Sequence, residues 1–228
     1  MPKTSAEPES SFIVSIPDSG TSHLISVSRF RTHSRFTVAI FINSGHSDKY
    51  IEMANFAAEN NEEGRRVWTL LNQIEDSSRF DELCLTYDPI DFVSLISKAR
   101  SPKAGAVSSF FGTTRDTFEG KEVASLEYEA YPDMAINCMA EICSKARKEW
   151  DLINIVIVHK LGSCPTPEIS VGIVITSVHR KDSIAAVNFA INELKDTVPI
   201  WKKEVYTDGG NVWKSNKLDS AGPPESIL

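Results

Sequence analysis

Two runs of β-branched residues, "INIVIVHKLG" over 153–162 and "ISVGIVITSVHR" over 169–180, are separated only by "SCPTPE". Each reads as a strand. A proline-containing link of six residues is too short for a crossover helix, so the pair belongs to an antiparallel or mixed sheet. The flanking segments must supply the cover. "PIDFVSLISKAR" is a short amphipathic helix, "GAVSSFFG" (105–112) is a strand followed by the turn "TTRDTFEGKE", and "VASLEYEAY" (123–131) alternates. In that strand Ala124, Leu126, Tyr128 and Ala130 share one face, and Glu127 and Glu129 the other. Ala135, Cys138, Met139, Ile142 and Ala146 recur at helical spacing, predicting a helix over 133–149. "KDSIAAVNFAINELKDTVP" predicts another, capped by Asp182 or Ser183 and ended at Pro199. The order from residue 81 onward is α-β-β-α-β-β-α. The expected fold class is α+β: a sandwich of antiparallel or mixed sheet with helices on one side.

Residues 1–80 form a separate block. The first eleven or so are polar and expected to be disordered. "FIVSI", "HLISVSRF" and "FTVAIFI" read as strands, and "DKYIEMANFAAENNEEGRRVWTLLNQI" reads as a helix interrupted near Gly64. His23, His33 and His46 are scattered, and the block has no catalytic constellation.

Composition narrows the function. The chain of 228 residues is 41% hydrophobic and 24% charged, with a net charge of −7 and a pI near 5.3. That acidity argues against broad binding to nucleic acid or to an anionic membrane. No apolar run is long enough to span a bilayer, and "MPKTSAEPES" has no signal-peptide core. Cys84, Cys138, Cys143 and Cys164 form no C-x-x-C pair and have no clustered histidines. They read as free thiols of a reducing compartment, which points to the cytosol, with no metal site.

Against that acidity, residues 179–217 carry seven basic side chains and five acidic ones. This is the pattern of a focused anion site. Lys195 falls about 20° from Ile184 and about 40° from Ile191 around its helix, along the apolar stripe of Ile184, Val187, Ile191 and Leu194. Such a lysine either lays its stem along the stripe with a wet head or lines a partly dry pocket. His179 and Arg180 stand where a strand meets a helix N-terminus, where free N–H groups attract anions. Arg115 follows a strand and a glycine. "VPIWKKE" (198–204) places Trp201 against Lys202 and Lys203 just past a helix end. Phosphate-loop, dinucleotide, nucleophile-elbow and zinc signatures are absent. Cys164, between Ser163 and Pro165, has no neighbour that would activate its thiol.

Taken as a set, "GAVSSFFGTTRDTFEGKEVASLEYEAYPDM", "VHKLG", "TSVHR", "LKDTVPIWKKE" and "VWKSNK" resemble the catalytic (large) subunit of molybdopterin synthase, the MoaE-type family, over about residues 81–218. The resemblance implies an α/β-hammerhead-like fold for 81–218, with a flexible tail at 219–228. It implies a sulfurtransferase of molybdenum cofactor biosynthesis. Sulfur would pass from the C-terminal Gly-Gly thiocarboxylate of a small ubiquitin-like subunit to cyclic pyranopterin monophosphate, forming the molybdopterin dithiolene. Two large subunits would form a homodimer within a heterotetramer, and this chain would bind no metal or cofactor of its own. By motif, Lys195 and Lys202 are the catalytic lysines. Thr113, Thr114, Arg115, His179, Arg180, Lys203, Glu204 and Lys217 join them in binding substrate, with Trp201 a buried anchor of the pocket wall. Lys160 stands where arginine is common, and Val178 where a small residue is common.

The N-terminal block is not a fused small subunit on this reading. It ends in "SSRFDELC", without Gly-Gly and without the free carboxylate a sulfur carrier needs. A different class of function, a non-catalytic module that only captures a Gly-Gly tail, would use the same basic pocket.

Overall fold

The computed structural model describes residues 10–18, 21–32, 35–43, 51–60, 66–74 and 78–214. The chain divides into two compact units, Met1–Glu82 and Leu83–Leu228. Expectations for residues 1–9, for the tail at 219–228 and for Lys217 fall outside the described residues.

The first unit is built of strands. β1 (Ser10–Asp18), β2 (Thr21–Thr32), β3 (Arg35–Asn43), β4 (Ile51–Asn60) and β5 (Arg66–Ile74) lie in that order in the sheet. The three expected strands are present as β1, β2 and β3. The expected helix is not: β4 and β5 pair antiparallel from Met53↔Gln73 to Asn60↔Arg66. Ala, Glu, Met and Leu gave that segment good helix propensity, but propensity is a weak bias. Pairing of β4 with β3, from Val38↔Ala54 to Phe41↔Ile51, gives its backbone groups strand partners instead. Of the first eleven or so residues expected to be disordered, Ser10 and Ser11 lie in β1, and the others fall outside the described residues.

In the second unit, to which Leu83–Thr86 of β6 (Arg79–Thr86) belong, one sheet has the order β6, β10 (Leu152–Lys160), β12 (Ile169–Ser177), β7 (Ala106–Thr113). The central hairpin is antiparallel as its short link requires, with Ile157 opposite Ile173. β10 is buried along its whole length and β12 along all but its first residue, so both faces of these strands are covered. α1 (Phe92–Ala99), capped by Asp91, lies on the face carrying Gly172 and Thr176. Leu95 approaches Gly172, and the Thr176 hydroxyl donates to the Ala99 carbonyl at 3.3 Å. α3 (Arg180–Thr197) starts from the opposite face, where the Ser177 hydroxyl accepts from the Ser183 N–H at 3.1 Å. α2 (Pro132–Glu149) packs against α3 and β10. Helices on one side is therefore corrected to helices on both, because strands buried on both faces need cover on each.

α3 starts earlier than expected. Its cap is His179, and Ser183 is buried in the first turn with its hydroxyl 2.8 Å from that of Ser108. Ile184, expected in the buried stripe, is 58% exposed, and Ala186 and Ala190 take its place beside Val187, Ile191 and Leu194.

The second sheet has the order β11 (Gly162–Pro165), β9 (Lys121–Ala130), β13 (Ile200–Tyr206), β14 (Asn211–Lys214), with β8 (Thr117–Phe118) paired to β9. Its two-residue β8–β9 turn has positive φ at both Glu119 (50°) and Gly120 (78°), the geometry that matches strand twist. "VPIWKKE" is thus mostly a strand.

Gly105 enters β7 against the backbone of Val178: a Cβ there would collide with the Val178 carbonyl oxygen, which cannot swing aside. Gly105→Ala is expected to cost about 1–3 kcal/mol. Urea unfolding should show this as a lowered midpoint at unchanged slope, and an unchanged midpoint would contradict it.

Candidate active site

A cavity of about 440 Å³ opens in the second unit. The end of β7 and its following turn contribute Phe110, Phe111, Thr113 and Arg115. The C-terminal turn of α3 contributes Ile191, Leu194 and Lys195, and the second sheet contributes Leu126, Tyr128, Lys202 and Glu204.

The side chains converge because of register. On β13, Lys202 and Glu204 are two residues apart and share a face. Pairing with β9 sets Lys202 opposite Tyr128 and Glu204 opposite Leu126, so all four line the cavity. Lys203 points to the other face, 5.7 Å from the centre of the Trp213 ring. Lys195 is exposed, one helical turn past Ile191, and lines the cavity. Three cations, Arg115, Lys195 and Lys202, therefore meet over an aromatic and aliphatic floor.

Glu204 is 2% exposed and accepts a hydrogen bond from the Tyr206 hydroxyl at 2.6 Å. That carboxylate holds the Tyr206 proton up to about 12.

Not every expected residue reaches the cavity. Thr114 is buried and turned away: its N–H donates to the Glu168 carbonyl at 3.0 Å and its hydroxyl to the Cys164 carbonyl at 3.0 Å. It pins the 113–115 turn, leaving Thr113 and Arg115 to face the opening. His179 and Arg180 are exposed at the N-terminus of α3, with Arg180 fifteen residues and about 22 Å of helix away from Lys195. Trp201 is only half buried and packs edge-on against Tyr131 at 5.3 Å, so the buried-anchor expectation is corrected. As a strand residue between Ile200 and Lys202 it faces away from the core. Cys164 is buried, and desolvation pushes its thiol up, away from nucleophile chemistry. Among the described residues no group of three His, Cys, Asp or Glu gathers as a metal site.

Among the cavity residues that escaped the sequence reading are His159, Tyr128 as a wall residue, and Ser170. "VHKLG" carried the signal, since β10 alternation fixes the side of the sheet on which His159 lies. His159 is 3% exposed, its Nδ1 is 2.8 Å from the Lys160 carbonyl, and Tyr128 stacks edge-on to it at 5.0 Å. Burial lowers the imidazole to about 4. The unfolded chain, near 6.5, therefore binds this proton at higher pH than the folded one. The stability contributed by a neutral His159 is present above pH 6.5 and is lost as pH falls towards 4, by about 3 kcal/mol. Urea unfolding at pH 7 and pH 4.5 should show a smaller acid loss for His159→Phe than for wild type, and equal losses would refute the assignment.

Comparison with known proteins decides the family. Residues 85–197 match the MoaE protein family model. The molybdopterin synthase catalytic subunit of Arabidopsis thaliana is 52% identical over 145 residues, 61% of this chain and 73% of that protein.

The chain belongs to the MoaE family.

The Bos taurus molybdopterin synthase catalytic subunit is 45% identical, over 64% of this chain and 77% of its own. Molybdopterin synthase from Staphylococcus aureus, 36% identical, superposes with a TM-score of 0.54 over 57% of this chain and 94% of that one. A chain from the complex of subunits 1 and 2 of molybdopterin-converting factor from Helicobacter pylori, 19% identical with a TM-score of 0.50, shares the fold. As a MoaE member the chain is an enzyme subunit, a sulfurtransferase of molybdenum cofactor biosynthesis, and the matched region lies within the unit that holds the cavity.

Proposed function

We propose that this cavity is where sulfur passes from the C-terminal Gly-Gly thiocarboxylate of a small ubiquitin-like subunit to cyclic pyranopterin monophosphate, yielding the molybdopterin dithiolene. The observation that carries the reading is the convergence of Arg115, Lys195 and Lys202 on one cavity of a chain with net charge −7. Arg115, with Thr113, grips the phosphate bidentately. Lys195 and Lys202 stabilise the oxyanion that develops as the acyl group leaves sulfur, and they carry protons. Glu204 orients Lys202 from the same strand face. Because the attacking sulfur belongs to the partner's tail, the cavity needs no protein nucleophile, which agrees with a buried, protonated Cys164.

His179 and Arg180 lie a helix length from Lys195, so they serve such a cavity by crossing from a second copy of the chain. This gives the homodimer within a heterotetramer a chemical role. Lys203, on the other face of β13, does not line this cavity. The chain holds no cofactor of its own in this scheme and works in the cytosol. Among the described residues no helix is long and apolar enough to cross a membrane.

The test is turnover: purified chain, pterin precursor and thiocarboxylated small subunit, with dithiolene product followed over time. Product supports the reading. Tight binding of the small subunit without product would replace it with the capture-module reading.

A further inference from the structure

The cavity's anion chemistry uses its cations, and His159 plays no part in it. Yet this side chain has a fixed geometry. Its ring is almost wholly buried in β10 and is held edge-on by Tyr128. Its Nδ1 sits 2.8 Å from a carbonyl oxygen, an atom that can only accept, so Nδ1 carries the hydrogen and Nε2 carries the lone pair. Ser170, beside them in the cavity wall, is tied to β7, its hydroxyl donating to the Gly112 carbonyl at 3.2 Å. His159, Tyr128 and Ser170 all line the cavity. The ring therefore presents a neutral nitrogen acceptor to a cavity whose other polar lining is the three cations, the Glu204 carboxylate and the hydroxyls of Thr113, Thr117, Tyr128 and Ser170.

We propose that Nε2 of His159 is a specificity-determining hydrogen-bond acceptor of the cavity, reading an N–H or O–H donor on the bound ligand. The inference rests on the proposed function for the identity of that ligand. Lysine and arginine side chains are donors only and cannot recognise such a group. Two ligands supply donors of this kind: the N–H groups of the pterin, and the backbone amides of the Gly-Gly tail. A buried acceptor discriminates strongly, because an analogue without the donor leaves the nitrogen unpaired.

The experiment compares His159→Phe, which keeps a ring against Tyr128 but removes the acceptor, with His159→Gln, whose amide oxygen can return an acceptor to the Nε2 position. For each, KM for the pterin precursor, Kd for the small subunit and kcat are measured separately. The expected result is a rise of about tenfold in one of the two binding constants for His159→Phe, with the other unchanged, and recovery to within a few-fold in His159→Gln. A raised KM assigns the pterin as donor, and a raised Kd assigns the tail. Both constants unchanged in His159→Phe, or equal damage in the two variants, would overturn the proposal.

Should either variant fail to fold, the wild-type protein labelled with ¹⁵N-histidine supplies the measurement. The His159 Nε2 resonance is followed while pterin precursor, and separately a peptide ending in Gly-Gly, is added. A shift with one of them supports the acceptor role, and no shift with either overturns it. Failure of the proposed function would show differently, as absence of wild-type turnover whatever the state of His159.

Discussion

Lys195→Ala is expected to lower kcat by about 10²–10⁴-fold, the range for removal of a positioned proton carrier. The fold should be untouched, because Lys195 is exposed and such substitutions usually stay within about 0.5 kcal/mol. Binding of the small subunit should persist, since the apolar wall of Ile191 and Leu194 remains. Lys195→Arg separates the two roles. It keeps the charge but cannot give up a proton at working pH, so recovery in that variant would assign oxyanion stabilisation, and continued loss would assign proton transfer. Dithiolene formation in single turnover is the measurement, and full activity of Lys195→Ala would remove this lysine from the mechanism.

Glu168→Ala is expected to cost about 3 kcal/mol of stability. Its carboxylate pairs with Lys160, whose side chain is 5% exposed against 33% for Glu168. Removing the carboxylate strands a cation in the interior, and breaking a buried pair from one side costs about 3–5 kcal/mol. The partial exposure of Glu168 sets the expectation at the low end. Lys160→Met combined with Glu168→Ala should recover most of the loss, because no buried charge then remains. Urea unfolding of the single and double variants measures the coupling. A double variant as unstable as the single would show that lost packing, not the stranded charge, is responsible. The effect matters for the site because the Glu168 carbonyl holds the Thr114 N–H, and through it the turn that carries Arg115.

Much of this architecture was legible in the chain itself. β10 and β12 declared themselves through β-branched runs, and α2 and α3 through apolar residues three and four apart. β4 and β5 did not, because Ala, Glu and Met fit a helix period as well as a strand, and the sheet's backbone pairing settled the matter. At the site, Arg115, Lys195, Lys202 and Glu204 stood in recognisable motifs and do share a cavity. Thr114 stood in one too, but local sequence does not reveal that its hydroxyl turns to Cys164. His179 and Arg180 were read as one cluster with Lys195 although the length of α3 separates them; a helix keeps residues on one face while carrying them apart. His159 went unread because its importance comes from long-range packing on Tyr128.

The hand-over from α3 to β13 places Lys195 and Lys202 in one cavity from chain positions seven apart, one presented by a helix and the other by a strand. Loss of a single residue between them would rotate the helix by about 100° or flip the strand face by about 180°. Asp196 and Thr197 are exposed, so their identities are open to change while their number is not. In a redesigned or diverged chain of this kind, the ruler to apply to this segment is its length rather than its spelling.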